Sequence, residues 1–158
     1  MLRCESSEVD VYWEKIRKTW EESSITPWIQ PTPGIIRGIS GITIHSTTKD
    51  EEGNESSQAN MGETTRYKIF ITEAIWVLWK ARNTRTFEGI QINIERTYLR
   101  WVERMTDRIE DEFEQIKLNP YKEREALQER FERRWCIKKR LATVIKTTAL
   151  TLKTTVGQ

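Results

Sequence analysis

Apolar residues recur at helical spacing in four stretches of the chain. In residues 8–22, Val9, Tyr12, Trp13, Ile16 and Trp20 fall at offsets of three, four and seven, the stripe of an amphipathic helix. Ser7 followed by Asp10 is a variant capping box that places the start there, and Glu8 suits the positive end of the helix dipole. Pro27, Pro31, Pro33 and Gly34 then exclude regular structure, and Trp28 with Ile29 is expected to pin this loop to the core. Residues 35–44 fit either a short helix or one weak strand, and Gly38 and Gly41 weaken both readings.

The next stretch, HSTTKDEEGNESSQANMG over 45–62, has Met61 as its only large apolar residue and predicts a flexible acidic and polar insertion. Helical patterning returns over 63–87. Tyr67, Phe70, Ile71, Ala74, Ile75 and Leu78 share one side, and Ile69, Trp76 and Val77 widen it, which predicts a helix buried nearly all round. Gly89 is its stop. Residues 94–119 carry Tyr98, Trp101, Val102, Met105, Ile109, Phe113 and Ile116 in near-heptad spacing, and Pro120 ends that helix because proline disfavours helix at the residue before it. A fourth helix over 121–145 uses Leu127, Phe131, Trp135, Leu141 and Val144. The Thr-rich tail, 146–158, fits a strand or frayed coil.

The pattern predicts an all-α protein, an irregular bundle of about four helices with a flexible insertion and a Thr-rich C-terminal tail. Its organisation is an N-terminal helical arm with a Pro/Gly loop (1–44), the insertion (45–62), the main helical body (63–145) and the tail (146–158). Each proposed helix has at least one aromatic anchor: Trp13 and Trp20, Trp76 and Trp79, Trp101, then Trp135. Seven tryptophans in 158 residues set this chain apart from disordered ones, which are poor in aromatics.

Other classes fall away on composition. The longest apolar run, residues 74–79, is far short of the ~20 residues that span a bilayer. Residues 1–8 contain no apolar signal core, and Cys4 and Cys136 sit near opposite ends. The expectation is therefore an intracellular protein, of cytoplasm or nucleus, with reduced thiols and no membrane partner. The single histidine, His45, lies in the insertion, a poor place for a catalytic triad. Gly34-x3-Gly38-x2-Gly41 lacks the lysine and hydroxyl of a phosphate loop. Asp107, Glu110, Asp111, Glu112 and Glu114 lie opposite an apolar stripe and read as a solvated acidic face. Glu73, mid-helix among apolar residues, requires a cationic partner: Lys80, Arg82 or an arginine of another helix. Neither an enzyme, nor a cofactor, nor a metal site is expected.

Charge is more informative. Twenty-six Lys+Arg against 24 Asp+Glu give only +2, yet residues 1–62 are net −4 and residues 63–158 net +6. Arg133, Arg134, Lys138, Lys139 and Arg140 form one basic block. Arg66, Lys68, Lys80, Arg82 and Arg85 form a second, continued by Arg96, Arg100 and Arg104. Cations interleaved with aromatics suit phosphate contacts and base stacking, making RNA or DNA the candidate partner and Arg82 and Arg85 second-choice contacts. The other reading of the same residues is the polar faces of helices, balanced by the acidic segment 107–129. A third is a helix-mediated protein-interaction or self-association module using the apolar stripes of 94–119 and 121–145.

The segment Ile71-Thr-Glu-Ala-Ile-Trp-Val-Leu-Trp-Lys-Ala-Arg-Asn83, with Phe87-Glu-Gly after it, resembles the region following the polymerase domain in reverse transcriptases of fungal-type non-long-terminal-repeat retrotransposons. Cys4 with Trp13 and Trp20 resembles the last cysteine of that region's zinc-binding motif and the helix after it. Pro33-Gly-Ile-Ile-Arg-Gly-Ile39 resembles its glycine-containing turn, Arg100-Trp-Val and Met105-Thr-Asp-Arg its next helix, and Lys138-Lys-Arg-Leu its basic C-terminal block. The polymerase's paired aspartates, the endonuclease and the RNase H carboxylates have no counterpart here. The motif's other cysteines and histidine would lie before Met1, so the resemblance implies no zinc in this chain. What it implies is a non-catalytic accessory region of a decayed or domesticated element that helps to hold RNA or target DNA, or a decayed fragment with no selected function.

Overall fold

The computed structural model describes residues 2–135, with side chains from residue 8 onward. Five helices and one small hairpin follow in order: α1 (Leu2–Ser23), α2 (Pro33–Arg37), a 3-10 turn (Ile39–Gly41), β1 (His45–Lys49), β2 (Glu55–Ala59), α3 (Met61–Glu88), α4 (Ile94–Leu118) and α5 (Tyr121–Trp135). The protein is predominantly helical, as the apolar periodicity predicts. The tail, Lys138, Lys139, Arg140, Cys136 and the continuation of the fourth helix to residue 145 lie outside the described residues.

Helix ends follow local chemistry. The side chain of Asn60 accepts the Glu63 amide at 3.0 Å to open α3, and Asn93 accepts the Arg96 amide at 3.0 Å to open α4. Gly89 closes α3 in the left-handed region at φ 69°, its N–H donating to Arg85. α1 begins at Leu2, so Ser7 lies inside the helix and does not cap it.

α3 is the central element: α4 and α5 pack against it, and α1 packs on α4. A chain of aromatic contacts crosses the core from the loop through three helices. Trp28 meets Trp20 at 6.1 Å, Trp20 meets Phe70 edge-on at 5.2 Å, and Phe70 meets Trp101 at 5.0 Å. Trp28 thus pins its loop as expected, whereas the Ile29 side chain is exposed and only its carbonyl is held, by the Tyr67 hydroxyl at 2.9 Å. Each fully buried aromatic contributes roughly 4–6 kcal/mol before entropy is charged against it. Their polar tips are satisfied on backbone. The Tyr12 hydroxyl donates to the Ala74 carbonyl at 2.9 Å and Trp101 Nε1 donates to the Phe70 carbonyl at 3.2 Å, so two successive turns of α3 are bonded from both flanking helices.

Two further expectations are corrected. The segment read as a flexible insertion is an antiparallel hairpin with His45 opposite Ala59 and Lys49 opposite Glu55. It has almost no buried face, which is why hydropathy missed it. It rests on turn chemistry: Asp50 accepts the Asn54 amide at 2.7 Å and the Glu52 amide at 3.0 Å, and Gly53 supplies φ 84°. Hydrogen bonds from these amides hold the Asp50 carboxyl below its ordinary range. The hairpin's base is tied down where the Asn60 amide donates to the Ile44 carbonyl at 2.8 Å. The second correction concerns α3, which is not buried all round: Trp76, Trp79 and Phe87 are exposed. Residues 35–44, which fit either helix or strand by sequence, hold the last three residues of α2 and the 3-10 turn.

Candidate nucleic-acid interface

The C-terminal turn of α5 lies against the first turn of α3. Only glycine permits this approach, because a Cβ on Gly62 would stand 2.7 Å from the Arg133 carbonyl oxygen. Beneath the junction sits a buried ionic cluster. Arg66 is fully buried and pairs with Glu63 one turn back through Nη2, while its Nη1 donates to the carbonyls of Ser23 at 3.3 Å and Arg134 at 3.2 Å. Glu63 also accepts the Thr26 hydroxyl at 2.8 Å. Desolvation pulls the Arg66 guanidinium down from its ordinary range, and Glu63 opposes this. One buried pair thereby ties together α1, the loop after it, α3 and α5.

The basic block therefore splits by role. Arg134 is committed to structure: its Nη1 donates to Glu112 of α4 at 2.6 Å, and Trp135 Nε1 donates to the other oxygen of that carboxylate at 2.7 Å. Glu112 is accordingly an inter-helix acceptor, not a member of a wholly solvated acidic face. Arg133 is exposed, as is Arg130 one turn earlier, and neither forms an ion pair among the described residues. With Arg134 they line a cleft of about 470 Å³ between α5, the start of α3 and the hairpin. Its remaining walls are polar or small apart from Met61, including Ser46, Gln58, Asn60 and Thr65, and no carboxylate among the described residues lines it.

The second basic run divides likewise. Arg66 is buried, and Lys68 Nζ donates to the Ser40 carbonyl at 2.8 Å. Arg104 pairs with Glu73 through Nε, and Arg108 donates to the same carboxylate at 3.0 Å. Glu73 thus meets arginines of another helix, one of the partners expected, and neither Lys80 nor Arg82. Arg82 and Arg85 are exposed and border a groove of about 660 Å³ between α1, α3 and the start of α4. Its floor is apolar, with Trp13, Ile75, Leu78 and Ile92, and Trp79 stands at its wall.

Sequence reasoning missed the exposure of the α3 aromatics. A signal was present: at ~100° per residue, Trp76, Trp79 and Phe87 lie on the side away from Phe70, Ala74 and Ala81. Trp76 and Trp79 stack on each other with centroids 5.2 Å apart and planes at 27°. Lys80 Nζ lies 5.4 Å and the Arg104 guanidinium 5.7 Å from the Trp76 ring centre. Among the described residues, no three His, Cys, Asp or Glu side chains cluster closely enough to hold a metal ion, and no helix is long and apolar enough to cross a membrane.

No family model matches this sequence, and no curated protein or solved structure is significantly similar to it.

Proposed function

We propose that this chain is a non-catalytic, retroelement-derived helical domain that binds RNA or DNA weakly and with little sequence preference. The observation that carries the reading is the carboxylate-free cleft of α5, where Arg130 and Arg133 stand beside Arg134 without ion-pair partners among the described residues. Guanidinium groups free of carboxylates are available to phosphate oxygens, and each phosphate they neutralise releases counterions. Lys138, Lys139 and Arg140 follow within seven residues of Arg133 and extend the same block. Backbone recognition of this kind is sequence-tolerant by nature, because phosphates are the same at every nucleotide.

Self-association through the stripe of α4 has less support. Tyr98, Trp101, Val102, Met105 and Ile109 are buried within this chain's own core.

The test is fluorescence anisotropy of labelled single-stranded RNA and duplex DNA at two salt concentrations. Binding of roughly micromolar strength that weakens steeply with salt is expected. Arg133→Glu, and separately Lys138→Glu with Lys139→Glu, should weaken binding uniformly across sequences and flatten the salt slope by about one for each phosphate left without its cation. A folded protein that binds neither ligand at low salt would overturn the proposal.

A further inference from the structure

The α5 cleft accounts for the proposed phosphate contacts, but it leaves three large exposed aromatics on α3 unexplained. Trp76 is 41% exposed, Trp79 52% and Phe87 82%. The two indoles stack on each other and Trp76 carries two cations, yet about half of each side chain stays open to solvent. Phe87 lies eight residues beyond Trp79, about 12 Å along the axis at 1.5 Å per residue, so the three form a ridge rather than one spot. Trp76 and Trp79 make one stacked apolar patch with Phe87 further along the same side, and exposed apolar patches edged by polar groups mark binding sites.

What borders the ridge selects the occupant. Lys80 and Arg104, the latter also paired with Glu73, sit over the ring of Trp76. Arg82 and Arg85 line the groove that Trp79 borders, where Glu8 at its far side is the one carboxylate among the described residues. The cleft beside Trp76 is mixed, with Arg100 facing Glu103 and Asp107, so the cationic side of the ridge is that of Lys80, Arg82 and Arg85. Flat π-faces with cations spaced along them match a ligand that alternates flat bases with negative charges. The groove beside Trp79 has an apolar floor and about 660 Å³ of room, enough to admit a flat heterocycle beside the indole. In a duplex each base face is already covered by its neighbours, so only an unpaired base can stack there.

We infer that the α3 ridge is a stacking platform for unpaired bases, with Trp79 as its principal contact and Arg82 holding the adjacent phosphate, and that the ligand of this domain is single-stranded nucleic acid. The inference rests on the phosphate-binding reading above but concerns a separate surface: the α5 cleft holds backbone, and the ridge distinguishes unpaired from paired strands.

Anisotropy with three labelled ligands of equal length tests it: an oligodeoxythymidine, a duplex, and an abasic single strand that keeps the phosphates without the bases. The full chain should bind the oligodeoxythymidine about tenfold tighter than either of the others. Trp79→Ala should remove that preference by weakening the oligodeoxythymidine alone, Trp79→Phe should keep most of it, and Phe87→Ala should remove a smaller part. Both sites are exposed enough for the variants to fold, which circular dichroism would verify. Equal affinity for the oligodeoxythymidine and the abasic strand, or no effect of Trp79→Ala, would overturn the platform while salt-sensitive binding left the phosphate reading standing. Absence of binding to all three would overturn both. A concentration-dependent mass in light scattering that Trp79→Ala abolishes would assign the ridge to contact between copies and overturn the inference.

Discussion

Replacing Gly62 by alanine probes whether α5 closes on the start of α3. In an exposed helix the change would be favourable, since alanine is more stable than glycine there by about 0.5–1 kcal/mol. Here the new methyl would stand 2.7 Å from the Arg133 carbonyl oxygen, 3.1 Å from its carbon and 3.4 Å from its Cβ. The obstacle is backbone and cannot swing aside, so the end of α5 must retreat by about half an ångström to restore an ordinary carbon–oxygen separation. Forced overpacking costs about 1–3 kcal/mol. The retreat also stretches the 3.2 Å bond from Arg66 to the Arg134 carbonyl and loosens a guanidinium that has no access to water. Offsetting these against the helical gain leaves a net loss of about 1–3 kcal/mol. The assay is urea unfolding followed by circular dichroism, read as a lower midpoint at unchanged slope. Gly34→Ala is the control: its nearest neighbour, Thr32 Oγ1, lies at 3.8 Å, so that variant should be neutral or slightly stabilised. A Gly62→Ala protein as stable as the parent would refute the docking of α5.

Two further outcomes follow from buried groups. Glu63→Gln keeps the shape of the side chain but leaves Arg66 as an uncompensated buried charge, so equilibrium unfolding should show a loss of about 3–5 kcal/mol; a loss under about 1 kcal/mol would mean that water reaches Arg66. Burial pushes the Tyr67 phenol up to about 12, and raises Tyr12 and Tyr98 as well. A folded-state value above the unfolded one, near 10, means that the stability from these groups is complete below pH 10 and is lost as pH climbs toward 12. Tyrosinate absorbance and loss of helical circular dichroism should therefore rise together in that window, and full ionisation with helicity retained would contradict the buried placement of these rings.

Much of the candidate interface was legible as residue type and little of it as role. Arg133 and Arg82 stand in solvent beside clefts, where a basic run would place them. Arg66 and Arg134 belong to the same runs, yet one is buried against Glu63 and the other is held by Glu112, twenty-two residues away. Nothing in a run of like charges says which member will meet a carboxylate from another helix. The hairpin was hidden for a different reason. A strand pair with no buried face carries no alternation, and its only signal was the Asp50, Gly53 and Asn54 chemistry of the turn.

The identity of the long helices and the ends at Gly89 and Pro120 were legible in the sequence, because the 3.6-residue period and such stop signals act within one or two turns of where they stand. The Asn60 and Asn93 caps are equally local but were not read, and the start expected at Ser7 lies inside α1. Which apolar side of α3 would be covered was not legible. Phe70 and Trp76 are both large aromatics on one amphiphilic helix, and periodicity alone assigned both to the core. Phe70 is buried because α1 and α4 supply Trp20 and Trp101 to meet it, whereas Trp76 and Trp79 stack on each other where no other helix closes over them and remain 41% and 52% exposed. Burial is a property of the neighbours a surface acquires, and those neighbours are set only when the helices pack.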